Sequence, residues 1–183
     1  ASVMAAIRAG ISVYAIHTKL DNVIHGVNGR MAEKLNLVNV RVLLIKDRDK
    51  GECEGIGAGA IGEWEIAKSE PEAFEWLKQQ FGLKVIRHTP LLGKPIKRVA
   101  LCGGSGSFLI SSALREMADL YITADVKYHE FFGLEGRMVL ADIGHFESEQ
   151  FTSDLLFDRL REKFPNFAVL KSVVKTNPVN YFI

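Results

Sequence analysis

The sequence predicts an α/β protein: helices packed on the faces of a largely parallel or mixed sheet. Short β-branched runs alternate with helical stretches through the second half, which is the pattern of strands joined by covering helices. At 183 residues the chain is long enough for one sizeable core, and one compact unit is the default. Two cysteines, Cys53 and Cys102, are too few for a disulfide scaffold, and both read as thiols in a reducing compartment.

Taken in order, Ile11 to His17 (ISVYAIH) is β-branched and mostly apolar, which predicts a buried strand. Val27, Met31 and Leu35 recur every four residues and put one apolar stripe on a short helix. VRVLLI at 40–45 follows as a second strand. Residues 46–56 are charged and glycine-bearing, a surface connection and the expected insertion point. GIGAGAIGEWE at 55–65 alternates through Ile61 and Trp64 as a strand with a tight entry. Ser69 with Glu72, and Pro71 in the first turn, is a capping-box start for a helix whose Phe74, Leu77 and Phe81 share a face. A short strand at 84–88 leads to a turn through Pro90, Gly93 and Pro95. Strands near 96–102, 120–124, 137–142 and 168–174 then alternate with helices near 107–118, 127–133 and 148–163.

Charge narrows the partners. With 23 basic and 22 acidic residues the formal charge is +1, so no strong field favours nucleic acid or an anionic membrane. No apolar run reaches the ~18 to 20 residues of a membrane span, and the start ASVMAAIRAG lacks the layout of a secretory signal. A cytoplasmic protein is expected. The chain opens on Ala1 with an amphipathic stretch already under way at Met4 and Ile7, so a segment upstream is expected too.

Ligands in open sheets gather outside the carboxyl ends of strands, and two strand ends here look alike. His17 precedes Asp21, and His145 precedes Glu149, at the same spacing. On a helix, positions i and i+4 share a face, so imidazole and carboxylate can converge on one point. That mixture suits zinc, manganese or iron(II). The plainer reading is that His17 bonds a turn, Asp21 caps a helix, and His145 and Glu149 face water. ITADVKYHEFF at 122–132 gathers Asp125, Lys127 and His129 at a strand-to-helix junction. There His129 would exchange protons near neutrality, or Asp125 would cap a helix while the other two face solvent. CGGSGS at 102–107 is a glycine-rich turn that either offers backbone N–H groups to an anion or allows close strand-to-helix packing. His25 and His88 stand alone and enter no site, and Tyr128, Phe131 and Phe132 read as packing.

IHTKLDN at 16–22, GVNGRMAEKLNL at 26–37, VALCGGSGS at 99–107, ITADVKYHEFF at 122–132, DIGHFESEQ at 142–150 and TNPVNYF at 176–182 together resemble the GTP cyclohydrolase 1 type 2 homologue family, the NIF-three-like proteins. The resemblance runs from about residue 4 to the end. It implies an α/β fold of two related halves with mixed sheets covered by helices, a dinuclear divalent-metal site, and a ring-shaped homohexamer. Residues 1–50 would be the remainder of the first half and 51–183 the second, packed as one unit. By resemblance Asp21, His145 and Glu149 are metal ligands, while His17 and His129 lie close to the metals as catalytic candidates. Asp125 falls in a TGD-like motif in which alanine replaces the usual glycine. A further pair of adjacent histidines stands upstream of the HTKLD-like motif in that family, before this chain begins, and longer members carry an inserted domain that 46–56 is too short to hold. The resemblance therefore implies a longer protein with its N-terminal part and insert missing here. The function implied is a metal-dependent hydrolase acting on a nucleotide, with a non-catalytic metal-binding or regulatory scaffold as the alternative.

Overall fold

The computed structural model describes residues 2–45, 56–134 and 136–182. The expected surface connection falls almost wholly on 46–55, outside the described residues, as does Cys53. The elements are α1 (Ser2–Arg8), α2 (Thr18–Asp21), α3 (Val27–Lys34), β1 (Val38–Ile45), β2 (Gly57–Lys68), α4 (Glu70–Phe81), β3 (Arg87–His88), β4 (Ile96–Ser105), α5 (Ile110–Arg115), β5 (Leu120–Ala124), β6 (Val139–Asp142), α6 (His145–Glu149) and α7 (Thr152–Lys163). The strands form one six-stranded sheet in the order β1-β2-β4-β5-β6-β3.

The sheet is mixed. β4, β5 and β6 run parallel, with Leu101 beside Ile122 and Ile122 beside Ala141, while β1, β2 and β3 join antiparallel. Side chains alternate across a strand. Val99, Leu101, Leu120, Ile122, Val139 and Ala141 therefore enter one core with Met31, Leu35, Leu77 and Phe81. Their neighbours Ala100, Cys102, Tyr121 and Leu140 enter the other, with Leu109 and Ala113. Burial on both faces is why these strands read as continuous apolar runs.

The predicted helix over 70–81 forms as its cap dictates. The Ser69 N–H donates to Glu72 Oε2 at 2.8 Å while Ser69 Oγ accepts from the Glu72 N–H at 3.5 Å, and Gly82 closes the far end at φ 65°. Glu70, buried in its first turn, accepts from Leu92 N at 2.6 Å and Gly93 N at 2.9 Å, which pins the predicted Pro/Gly turn to α4. A Ser69→Ala protein is expected to lose about 1 kcal/mol of stability in a urea titration; an unchanged midpoint would show the cap contributes nothing.

Several predicted elements differ. Residues 11–17 form no strand, and Val13 and Tyr14 are 76% and 82% exposed. β-propensity measures fit to a neighbouring strand, and none of the described residues pairs with this segment. The predicted strand at 168–174 is likewise absent, with Leu170 and Val173 exposed. The strand near 84–88 shortens to Arg87–His88. The helix near 107–118 divides into a 3-10 turn at Ser107–Leu109 and α5, and that near 127–133 is a 3-10 turn, Tyr128–Phe131. The last helix begins earlier, at His145, and breaks between α6 and α7.

Candidate metal centre

Three parallel strands, β4, β5 and β6, end on the same side of the sheet, and the candidate residues lie beyond those ends. After β6 the chain passes Ile143 and Gly144 and enters α6, so His145 and Glu149 come one turn apart on one face. Nε2 of His145 lies 3.4 Å from Glu149 Oε2. The predicted i, i+4 pairing is formed. After β5, Asp125 takes a left-handed backbone at φ 54° and places Oδ2 2.6 Å from Nδ1 of His145. A carboxylate only accepts, so Nδ1 carries the proton and Nε2 is left to face Glu149. A histidine ligand whose distal nitrogen donates to a carboxylate is the usual supporting arrangement at metal sites.

Asp21 and His17 approach from the first half. Asp21 ends α2, and His17 is the residue immediately before that helix, with no side-chain capping bond. Burial raises the Asp21 pKa, while the positive charges of His17 and His145 act the other way. Burial also raises that of Glu149, against His145 and His17 and reinforced by the Asp21 carboxylate. His145 is raised, first by the bond it donates to Asp125, with burial opposing and the Glu149 and Asp125 charges adding to it. The half-buried carboxylates of Asp21 and Glu149 thus lie near enough to feel each other's charge and those of His17 and His145.

The glycine-rich turn is the floor. Gly104 has φ 62°, and a Cβ placed there would stand 2.3 Å from Glu149 Oε1 and 3.2 Å from His145 Nε2. Glycine is needed for both the backbone conformation and the space. The anion-cradle reading fails on hydrogen bonds. The N–H of Gly103 donates to Asn28 Oδ1 at 2.9 Å, that of Gly104 to Ser148 Oγ at 2.9 Å and that of Gly106 to Thr123 Oγ1 at 3.0 Å. These donors are taken, and close packing is what the glycines provide. Cys102, just before the turn, is buried, and burial, followed by the Asp21 and Glu149 charges, pushes its thiol up to about 12. Without a metal ion it stays protonated at neutral pH.

His129 is not brought to this cluster. It lies exposed in the 3-10 turn after β5, its ring against Tyr128 with centroids 5.3 Å apart. Asp125, from the same motif, is the residue that reaches His145. Three supporting residues escaped the sequence reading. Asn28, 2% exposed, donates from Nδ2 to the Asp21 carbonyl at 2.9 Å and so ties α2 to the glycine turn. Ser148 accepts from Gly104 and donates to the His145 carbonyl at 2.8 Å. Asp142 is buried at the end of β6. The signal for two of them was a polar residue interrupting an apolar pattern: Asn28 beside Val27 on the α3 stripe, and Asp142 closing VLAD.

The donor types fit a divalent cation: carboxylates half-withdrawn from water beside an imidazole oriented by Asp125. The set is open, since among the described residues no three His, Cys, Asp or Glu side chains already stand close enough to hold an ion. A cleft of about 890 Å³ adjoins it, walled by His145, Glu147 and Glu149 on one side and by Asn177, Val179 and Tyr181 of the C-terminal segment on the other. Asn177 Nδ2 donates to Glu147 Oε1 at 3.3 Å across that cleft.

The fold and this cluster define an α/β protein with a carboxylate–imidazole site at the carboxyl ends of parallel strands. Residues 1–178 match the family model Duf34/NIF3 (NGG1p interacting factor 3), and the chain belongs to that family. It is 35% identical over 175 residues to a GTP cyclohydrolase 1 type 2 homolog of Lactococcus lactis, covering 93% of this chain and 64% of that protein. It is 32% identical to the Streptococcus pneumoniae protein of the same name, over 96% of this chain and 66% of that one. The chain thus spans about two thirds of the length of these relatives. A solved Bacillus cereus protein described as related to NIF3 shares the fold with a TM-score of 0.87 at 20% identity, over 98% of this chain and 76% of that one. A solved Staphylococcus aureus protein does so with a TM-score of 0.84 at 24% identity, over 96% and 71%. No helix of the described residues is long and apolar enough to cross a membrane.

Proposed function

We propose that Asp21, His145 and Glu149 bind a divalent metal ion, zinc, manganese or iron, and that the protein is a metal-dependent hydrolase acting on a nucleotide. The observation that carries this reading is His145, held by Asp125 at 2.6 Å on Nδ1 while Nε2 faces Glu149, with the Asp21 charge in the same space. Held by these residues, a divalent ion would supply polarisation of an electrophilic carbon and a water of lowered pKa. The chain's own residues set the site up. Asp125 orients the His145 ring, Gly104 leaves room for Glu149, and His17, just before the helix that ends in Asp21, would accept or return a proton. Exposed His129 would have to act on substrate reaching outward from the cluster. The nucleotide comes from the name the relatives carry, GTP cyclohydrolase 1 type 2 homolog. The complete subunit is proposed to hold two ions and to assemble into a ring-shaped hexamer.

Nucleotide turnover by Glu149→Gln tests the reading. Loss of turnover with unchanged folding is expected, since the amide removes a negative donor; full turnover would sink the mechanism. The second reading, a metal-binding or regulatory scaffold without catalysis, is favoured by the openness of the donor set and by His129 lying apart from it. It predicts a metal-loaded protein that hydrolyses no nucleotide.

A further inference from the structure

Asp142 is a buried carboxylate, 5% exposed, that belongs to none of the proposed ligands. Its Oδ2 accepts from the N–H of Val126 at 3.1 Å and from Nη1 of Arg87 at 3.0 Å, and its Oδ1 accepts from the N–H of Gly144 at 3.1 Å. Nη2 of Arg87 donates to the Val126 carbonyl at 3.2 Å. Val126 follows Asp125, and Gly144 precedes His145. One side chain therefore bonds the backbone next to each member of the Asp125–His145 pair.

The Asp125 loop needs such a hold: Asp125 sits at φ 54°, a conformation that a residue with a Cβ keeps only where the surroundings fix it, while Gly144 takes φ 92° as glycine does without strain. Asp125 and His145 are themselves about half exposed, with side-chain exposures of 49% and 52%, so packing does not fix their separation. The buried charge is compensated by Arg87 and two N–H donors, as burial of a carboxylate requires.

We infer that Asp142, clamped by Arg87, is a positioning residue that sets the Asp125–His145 separation and so presents Nε2 of His145 to the cleft. Toward the proposed metal this rests on the reading given above; the Asp125–His145 separation itself does not. In Asp142→Asn the amide keeps one accepting oxygen and turns the other into a donor, so the bond to one of the two loops breaks while the volume is kept.

The test is the crystal structure of the metal-free protein, alongside zinc affinity by titration calorimetry, for the native protein, Asp142→Asn and Arg87→Gln. In the native protein Asp125 Oδ2 is expected to stay in hydrogen-bond contact with His145 Nδ1. In Asp142→Asn the two loops are expected to part and that contact to lengthen beyond hydrogen-bond distance, with zinc binding about tenfold weaker. A folded Asp142→Asn with the native separation and native affinity would overturn the inference. If that variant does not fold, Arg87→Gln, altered at a side chain 56% exposed, decides: a lengthened separation supports the role and a native one refutes it. If the native protein binds no zinc, the metal reading fails while the separations still judge Asp142.

Discussion

A Gly104→Ala protein is expected to bind divalent metal about a hundredfold more weakly than the native chain, the upper end of the loss seen when a ligand's support is removed. A methyl group there would sit 2.3 Å from Glu149 Oε1 and 3.2 Å from His145 Nε2. The Glu149 carboxylate must swing away, and the His145 ring must give by a few tenths of an ångström. The left-handed backbone at φ 62° adds about 1 to 2 kcal/mol of strain for any residue with a Cβ. Calorimetric titration with zinc or manganese measures the first effect and urea unfolding the second. Native affinity in Gly104→Ala would mean that Glu149 is not where the ion binds.

Asn28→Ala is expected to cost about 1 to 3 kcal/mol of stability, because it leaves two half-buried backbone groups without that partner at once. The Gly103 N–H and the Asp21 carbonyl each lose a partner at 2.9 Å, and Asn28 is nearly inaccessible to water. Asn28→Asp keeps an acceptor for Gly103 but sets a buried charge against the Asp21 carbonyl, so it is expected to be at least as destabilised as the alanine protein. Equal urea midpoints for native and Asn28→Ala would contradict the two-sided bond. The same loss frees α2 from the glycine turn, so Asp21 should contribute less to metal affinity in this variant than in the native chain.

Elements with a local cause were legible in the sequence. Ser69, Pro71 and Glu72 specify the start of α4 by short-range hydrogen bonds, and the Val27, Met31, Leu35 spacing specifies α3 by periodicity. Strands β4, β5 and β6 announced themselves as apolar runs because both their faces are buried. ISVYAIH and the stretch at 168–174 looked the same by composition yet pair with nothing among the described residues, since pairing is decided by neighbours distant in sequence. The metal candidates were legible as a spacing, and the spacing proved real where α6 puts His145 beside Glu149. What spacing could not carry was the partner of Nδ1. Asp125 lies 20 residues upstream of His145 and meets it only because β5 and β6 are adjacent and parallel. His129 shares its motif with Asp125, but the turn that follows β5 carries its ring outward against Tyr128.

The central claim is that Asp21, His145 and Glu149 together bind a divalent ion, and metal content of the purified protein, by elemental analysis after dialysis, tests it most directly. The native chain is expected to retain bound zinc, manganese or iron, with content lowered in Asp21→Ala and lost in His145→Ala and Glu149→Gln. Metal content that is absent from the native protein, or unchanged in all three variants, would contradict the claim.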